Sequence, residues 1–133
     1  MPLSVYKSKG FTLIELMIVI LIIGILSVMA TLLISSLKNK ARVTVVRQDL
    51  RLFFEAQQDF FTEHNTFKGS IGDVLSNKPD VPSTISFQAF SPSENTVITI
   101  IDDDPFTAVA RQSGVPLIFE CNIETGHITE RQE

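Results

Sequence analysis

Several residue types that build catalytic and metal centres are scarce in this chain of 133 residues. Cysteine occurs once, as Cys121, tryptophan is absent, and there are only two histidines. A single cysteine excludes an intrachain disulfide, a cysteine-based zinc cluster and a CxxC redox pair. The fold must therefore be held together by packing alone.

Proline and glycine are rare in the first half of the chain. No proline occurs between Pro2 and Pro79, and Gly10 and Gly24 are the only glycines before Gly69. Interior prolines break helices and interior glycines weaken them. This half of the chain can therefore form one long, uninterrupted helix.

Charge is almost missing from one segment and mostly negative in the rest. From Leu13 to Leu37 the only charged residue is Glu15, whereas residues 38–133 contain nine Lys and Arg against fourteen Asp and Glu, a balance of minus five with neutral histidine. Nucleic acid is an unsuitable partner for such a chain, because its binding depends on neutralising phosphates. Besides the apolar segment, the length allows one small globular domain.

The apolar segment is long enough to cross a membrane as a helix. Residues 11–37 would rise about 40 Å, against a hydrocarbon core of about 30 Å. The apolar region of an ordinary secretory signal is shorter, at about 7–15 residues. Basic residues on both sides, Lys7 and Lys9 before the segment and Lys38 to Arg42 after it, leave its orientation open.

A short polar stretch precedes the apolar segment. Residues 1–10, MPLSVYKSKG, end in Gly10, and the string KGFTLIELMIVILIIGIL runs from Lys9 to Leu26. This string resembles the start of type IV pilins and type II secretion pseudopilins. The resemblance implies that prepilin peptidase cuts between Gly10 and Phe11, that Phe11 is N-methylated, and that Glu15 pairs with the Phe11 amine of an adjoining subunit during assembly.

Glu15 and a row of small residues stand out within the apolar segment. A charged residue costs about 2.5–3.5 kcal/mol at mid-membrane and less near an end, so we expect Glu15 to have a positive partner. The alternative is that Glu15 lies at the headgroup level. Gly24, Ser27, Thr31 and Ser35 share one helix face, which predicts either a packing seam between subunits or a lipid-facing scatter of small residues.

The segment departs from the family pattern at one position. Many members of the family carry a proline where this chain has Leu32. An interior proline removes a backbone hydrogen bond and kinks a helix. We therefore predict a straighter helix than is usual in the family, and it stays open whether the segment melts locally in a filament.

Beyond Leu37 the apolar residues become periodic, which predicts that the same helix continues to about His64. The phenylalanine pairs Phe53–Phe54 and Phe60–Phe61 are expected in a core covered by a sheet, with a partner-binding aromatic stripe as the alternative. The apolar stripe comprises Val43, Val46, Leu50, Phe53, Phe60 and Phe61.

The last half of the chain predicts a loop followed by strands. Residues 65–83 are mostly polar and rich in turn formers, and are expected to form a loop with at most one short helix; the resemblance to the pilin family implies that this connection is a candidate contact surface. Strand-like runs follow at residues 84–90, 95–101 and 106–111, and residues 117–130 predict a hairpin that turns at Glu124–Gly126. An antiparallel sheet packed on the amphipathic half of the helix gives an α+β fold.

No residue pattern indicates an enzyme. Cys121 lies on the apolar face of a strand and is expected to be buried, with an intermolecular disulfide or catalysis as alternatives. A metal site made of Cys121, His64 and His127 would require three distant elements to converge. Asp102, Asp103 and Asp104 are weak candidates for calcium, since oxygen ligands in a turn can hold it, and otherwise form a solvated acidic turn.

The predicted protein is a structural subunit of a type IV pilus or a type II secretion pseudopilus, without a cofactor. Its divisions are a leader (1–10), a transmembrane and assembly half-helix (11–37), an amphipathic half-helix (38–64) and a loop-and-sheet head (65–133). The resemblance implies identical subunits, prepilin peptidase, an inner-membrane platform with its ATPase, and the membrane as partners. It places the head outside the cytoplasmic membrane, and later in a filament in the periplasm or at the cell surface.

Two alternatives remain from other classes of protein. One is a soluble exported binding protein cut after Ala30 by ordinary signal peptidase. The other is a membrane-anchored enzyme, which would need a cleft with convergent polar residues in its head.

Overall fold

A computed structural model describes residues 10–132 of the chain, apart from the side chain of Leu32. The predicted leader therefore lies outside the described residues except for Gly10. Helix α1 spans Leu13–His64, 52 residues, close to the predicted range of 11–64. The chain forms two compact units, one up to Leu37 and one from Lys38 onwards, and they are treated separately below.

Asn65 ends the helix in the left-handed conformation that commonly closes helix C-termini. Its φ is 57°, and its N–H donates to the Phe61 carbonyl at 2.7 Å. Asparagine tolerates this conformation better than most residues with a side chain, and the bond satisfies one of the last free carbonyls of the helix.

Five antiparallel strands form one sheet in the order β1-β2-β3-β4-β5, so each strand pairs with its sequence neighbours. The predicted α+β fold is therefore confirmed, and the last three predicted strand regions agree closely with β2 to β5. The strands are β1 Val74–Ser76, β2 Thr96–Asp103, β3 Phe106–Gln112, β4 Leu117–Asn122 and β5 His127–Gln132.

The first strand is not where the sequence predicts it. Residues 84–90 form no strand, whereas β1 lies at Val74–Ser76, inside the predicted loop. Three apolar residues of this run, Ile85, Phe87 and Phe90, do pack on the core. Near them, the Thr84 and Ile85 N–H groups both donate to the Val74 carbonyl instead of forming a regular ladder. The run at 84–90 therefore contributes side chains to the core without extending the sheet.

The core of the second unit lies between residues 43–57 of α1 and one face of the sheet. Val46, Leu50 and Phe53 are fully buried and pack with residues of β2, β3 and β4 that include Ile98, Ile100, Ala108, Ala110, Phe119 and Cys121. The expected core is wrong in its last turn, because Phe60 is only half-buried and Phe61 is exposed. The Phe61 ring contacts Phe67 at a centroid distance of 4.8 Å instead of the sheet.

Candidate processing and assembly site

Thr12 and Glu15 form a reciprocal cap at the start of α1. The Glu15 Oε2 atom accepts hydrogen bonds from the Thr12 N–H at 2.9 Å and the Thr12 hydroxyl at 3.0 Å. The Glu15 N–H donates in turn to the Thr12 Oγ1 atom at 3.3 Å. This is the capping-box arrangement, in which the residue before the helix and the third helical residue satisfy each other's backbone N–H groups.

The cap gives Glu15 a local partner that the sequence analysis missed. The Thr-x-x-Glu spacing could have predicted this cap, but the sequence analysis considered only the cost of an isolated carboxylate and therefore expected a positive partner. Among residues 10–132, the second carboxylate oxygen of Glu15, Oε1, accepts no hydrogen bond. One oxygen is thus used to begin the helix, and the other can still accept a partner from outside the chain.

The Gly10–Phe11 bond lies just outside the helix and in the open. Both residues precede Leu13, the first helical residue, and 83% of Phe11 is exposed. A Cβ atom added to Gly10 would meet no atom within 4 Å. The fold of the described residues therefore does not require glycine at this position, and the bond has the non-helical, exposed backbone that a peptidase needs.

The apolar part of α1 is the one stretch of the described residues long and apolar enough to cross a membrane, and none of it is buried within the chain. Its polar side chains bond inside the helix. The Ser27 hydroxyl donates to the Ile23 carbonyl at 2.7 Å, and the Thr31 hydroxyl donates to the Val28 carbonyl at 2.8 Å. Such bonds spare a membrane helix from exposing unpaired hydroxyls to lipid.

Gly24 has no packing role among the described residues, because an added Cβ would again meet nothing within 4 Å. A structural need for glycine at this position would have to come from a neighbouring molecule.

The structure does not bring the remaining candidates together into a metal-holding group among the residues it describes. Asp102, Asp103 and Asp104 are exposed at the β2–β3 turn, where the Asp104 N–H donates to the Asp102 Oδ1 atom at 3.2 Å. Within the described part of the chain, no three His, Cys, Asp or Glu side chains are grouped to hold a metal ion. His64 stacks on Phe60 with ring centroids 4.1 Å apart, and His127 begins β5.

Cys121 is fully buried in the core, as predicted. Burial raises the pKa of its thiol to about 11, since the charged thiolate is poorly solvated there. The thiol is therefore protonated at neutral pH and lacks the activation of a catalytic nucleophile.

Two buried polar side chains of α1 hold the long connection between helix and sheet, and the sequence analysis missed both. The Asp49 carboxylate accepts from the Ser93 N–H at 3.0 Å and from the Ser93 hydroxyl at 2.9 Å. The Gln57 amide donates to the Lys68 carbonyl and accepts from the Lys68 N–H, both at 2.8 Å. Polar residues in an otherwise apolar stripe were the only sequence signal for them.

These features define a class: a membrane-anchored α+β protein with a processing motif at the start of its helix. The match of residues 6–31 to the family described as "Prokaryotic N-terminal methylation motif" agrees with it. The chain is 31% identical over 95 residues to the "Type IV wide pilus major component PilA4" of Thermus thermophilus, a match that covers 71% of this chain and 72% of that protein. It is 32% identical over 68 residues to the "Type IV major pilin protein PilA" of Myxococcus xanthus.

The Myxococcus match covers 51% of this chain and 31% of that longer protein, whereas the Thermus match covers most of both chains. The chain belongs to the type IV pilin family. It is a structural subunit of a pilus and is processed by prepilin peptidase.

Proposed function

We propose that prepilin peptidase cuts this chain between Gly10 and Phe11, that Phe11 is then N-methylated, and that the product is stored in the cytoplasmic membrane. Residues 11–37 span that membrane, and residues 38–64 with the 65–133 head lie outside it. An inner-membrane platform and its ATPase lift the subunit into a type IV pilus at the cell surface. The names of the two relatives, both major pilus components, favour a pilus over a secretion pseudopilus.

The arrangement of Glu15 is the observation that carries this proposal. Cleavage creates a free amine at Phe11, one residue before Thr12. In the chain itself, one Glu15 oxygen is engaged by Thr12 and the other is left to bind the Phe11 amine of the next subunit. An ion pair of this kind offsets the cost of a carboxylate in an apolar environment and sets the axial register between neighbouring helices.

The apolar half of α1 makes assembly reversible. Its side chains are exposed in the single chain, including Leu21 at 63% and Leu26 at 58%, and contact lipid before assembly and other helices after it. Lipid tails are as apolar as leucine, so this exchange brings little hydrophobic gain. A motor that supplies the remaining free energy can therefore drive assembly, and Gly24 allows close approach of a neighbouring helix.

The role of the chain in this proposal is mechanical, and no cofactor takes part. The Asp102–Asp104 turn is solvated and binds no calcium. Titration calorimetry with calcium chloride should give no stoichiometric heat. A saturable signal that is lost in D103N would contradict this part of the proposal.

The processing step is tested by the intact mass of the protein extracted from membranes. A chain that begins at Phe11 and carries one methyl group supports the proposal. A chain that begins at Thr31 would establish instead the soluble exported protein cut after Ala30. Gly10→Val provides the control, because the fold leaves space for the side chain but the peptidase should no longer cut.

Two substitutions separate the charge of Glu15 from its capping role. Glu15→Gln keeps a side chain that serves well at the third position of a capping box but removes the charge. Thr12→Val removes the hydroxyl of the box and keeps the carboxylate. We expect Glu15→Gln to be processed normally and to lose nearly all filaments, and Thr12→Val to assemble at a reduced level. Normal filament yield from Glu15→Gln would refute the pairing.

A further inference from the structure

Charges are separated along the part of α1 that belongs to the second unit. Residues 38–51 contain five Lys and Arg (Lys38, Lys40, Arg42, Arg47 and Arg51) and one acid, Asp49, which is buried and bonded to Ser93. Residues 52–64 contain Glu55, Asp59 and Glu63 and no Lys or Arg. This unit therefore has a basic end near Lys38 and an acidic end near His64.

The sheet continues the same separation. At the acidic end lies the exposed β2–β3 turn with Asp102, Asp103 and Asp104. Its position follows from Phe106, the first residue after the turn, whose ring lies 5.1 Å from that of Phe67, just beyond the end of α1. The β3–β4 turn lies at the opposite end, because a Cβ on Gly114 would come within 2.6 Å of the Arg42 side chain.

An open cleft of about 620 Å³ runs along the sheet from the β3–β4 turn to Ile101 on β2. Its floor is on the sheet face that points away from α1, because Val97 and Ile118 alternate with Ile98 and Phe119, which face the core. Val109 and Ile118 are each only 6% exposed there. This face therefore has an apolar floor beneath longer side chains.

The rim of the cleft is basic. Lys78, Arg111 and Arg131 line it, and no acidic side chain does so among the residues that the structure describes. The Lys78 ammonium also pairs with Asp80 at 3.0 Å. Three cations around one cleft contrast with the excess of acids in residues 38–133, so the cleft suits an anionic partner.

We propose that the cleft receives the Asp102–Asp104 turn of a second copy of this chain, the next subunit along the filament. The exposed carboxylates would face the cationic rim at the end of the cleft beside the β3–β4 turn. The proposal rests on the proposed function, since it assigns a contact within that filament. Opposite charges at opposite ends of one unit allow the same head-to-tail contact to repeat without closing, which an open helical filament requires.

Zero-length cross-linking tests the contact with little disturbance of the charges. Arg131→Lys keeps the cation and adds an amine, which a carbodiimide can couple to a nearby carboxylate as an amide with loss of a urea. In filaments of this variant we expect a ladder of dimers, trimers and higher multimers in denaturing gels. Peptide mass spectra should join position 131 to the 102–104 turn.

Two matched variants serve as controls. Arg131→Gln offers no amine at position 131. Arg131→Lys combined with D102N, D103N and D104N offers no carboxylate in the turn. Neither variant should therefore give the peptide that joins position 131 to the turn. Filaments of normal yield without the 131-to-turn link in Arg131→Lys would overturn the docking and leave the pilin function intact. A linked peptide that disappears when filaments are diluted would place the contact between filaments, which also overturns the proposal.

A charge exchange gives an independent measurement. Arg131→Glu and Asp103→Lys should each reduce filament yield several-fold, and the double variant should restore most of it. Glu63→Lys, an exposed change at the acidic end outside the turn, should not be rescued by Arg131→Glu. Equal losses in the double and single variants would exclude a direct contact. Correct processing of each variant, checked by intact mass, separates failed docking from failed maturation.

Discussion

Gln57 offers the sharpest test of how the helix holds the long connection before the sheet. Its amide is fully buried and bonds both backbone groups of Lys68 at 2.8 Å. Gln57→Leu keeps a similar volume but leaves the Lys68 N–H and carbonyl without these partners. An unsatisfied buried polar group costs about 1–3 kcal/mol, and Lys68 is only half-buried, so we expect a loss of about 2–3 kcal/mol in the free energy of unfolding of the head.

The assay uses the single cysteine as a probe of unfolding. Cys121 is buried in the same core, so the fraction of full-length protein in detergent that reacts with a thiol reagent during a brief pulse reports unfolding in increasing urea. The same loss of about 2–3 kcal/mol in the free energy of unfolding would also lower the melting temperature by about 10–20 °C for a domain of this size. Gln48→Leu, at an exposed helix position, is the control and should change stability by less than about 0.5 kcal/mol. Equal effects at both positions would refute the assigned role of Gln57.

Three further predictions concern the second unit. The pKa of Asp73 is lowered mainly by the Ser70 N–H and then by the Thr84 hydroxyl. Its stabilising effect is therefore present above the unfolded pKa of about 3.9 and is lost as pH falls through the lower folded value. The protection factor of the Ser70 amide, its exchange rate relative to an unprotected amide at the same pH, should fall over that acidic range, and Asp73→Asn should remove this pH dependence. Because the pKa of Cys121 is raised to about 11, iodoacetamide at pH 8 should label it only after denaturation, and rapid labelling of native protein would contradict its burial. Thr96 is buried and its hydroxyl has no hydrogen-bond partner among the described residues, so Thr96→Val should leave the urea midpoint unchanged or raise it. A fall of more than about 1 kcal/mol in the free energy of unfolding would contradict this.

Local patterns predicted the features of the chain that depend on neighbouring residues. The absence of proline and glycine between Gly24 and Gly69 allows one helix, and the apolar residues 46, 50 and 53 fall on a single face of it. The turn at Glu124–Gly126 was likewise predicted, since Gly126 has a φ of 71° that glycine adopts at little cost. The Gly-Phe junction and Glu15 could be named as candidates because the family motif is a continuous string, which the family match over residues 6–31 covers.

Features that depend on distant partners could not be predicted. Nothing in the sequence near Val74 shows that it pairs with Thr99, and a strand of three residues has too few positions to display alternation. Asp49 and Gln57 stand out only as polar residues beside an apolar stripe, and the sequence does not show that their partners are Ser93 and Lys68. The basic cleft combines Lys78, Arg111 and Arg131, three cations from separate parts of the sequence.

The cap at Glu15 and its proposed assembly contact are parts of one arrangement. A carboxylate free to rotate would lose conformational freedom when it bound a neighbouring amine. Here the bonds from Thr12 to the Glu15 Oε2 atom have already fixed the side chain in the single chain, and the positive end of the helix dipole favours its charge. The unengaged oxygen is therefore positioned before the partner arrives. If this view is correct, Thr12→Val should slow the start of filament growth more than it lowers the stability of finished filaments.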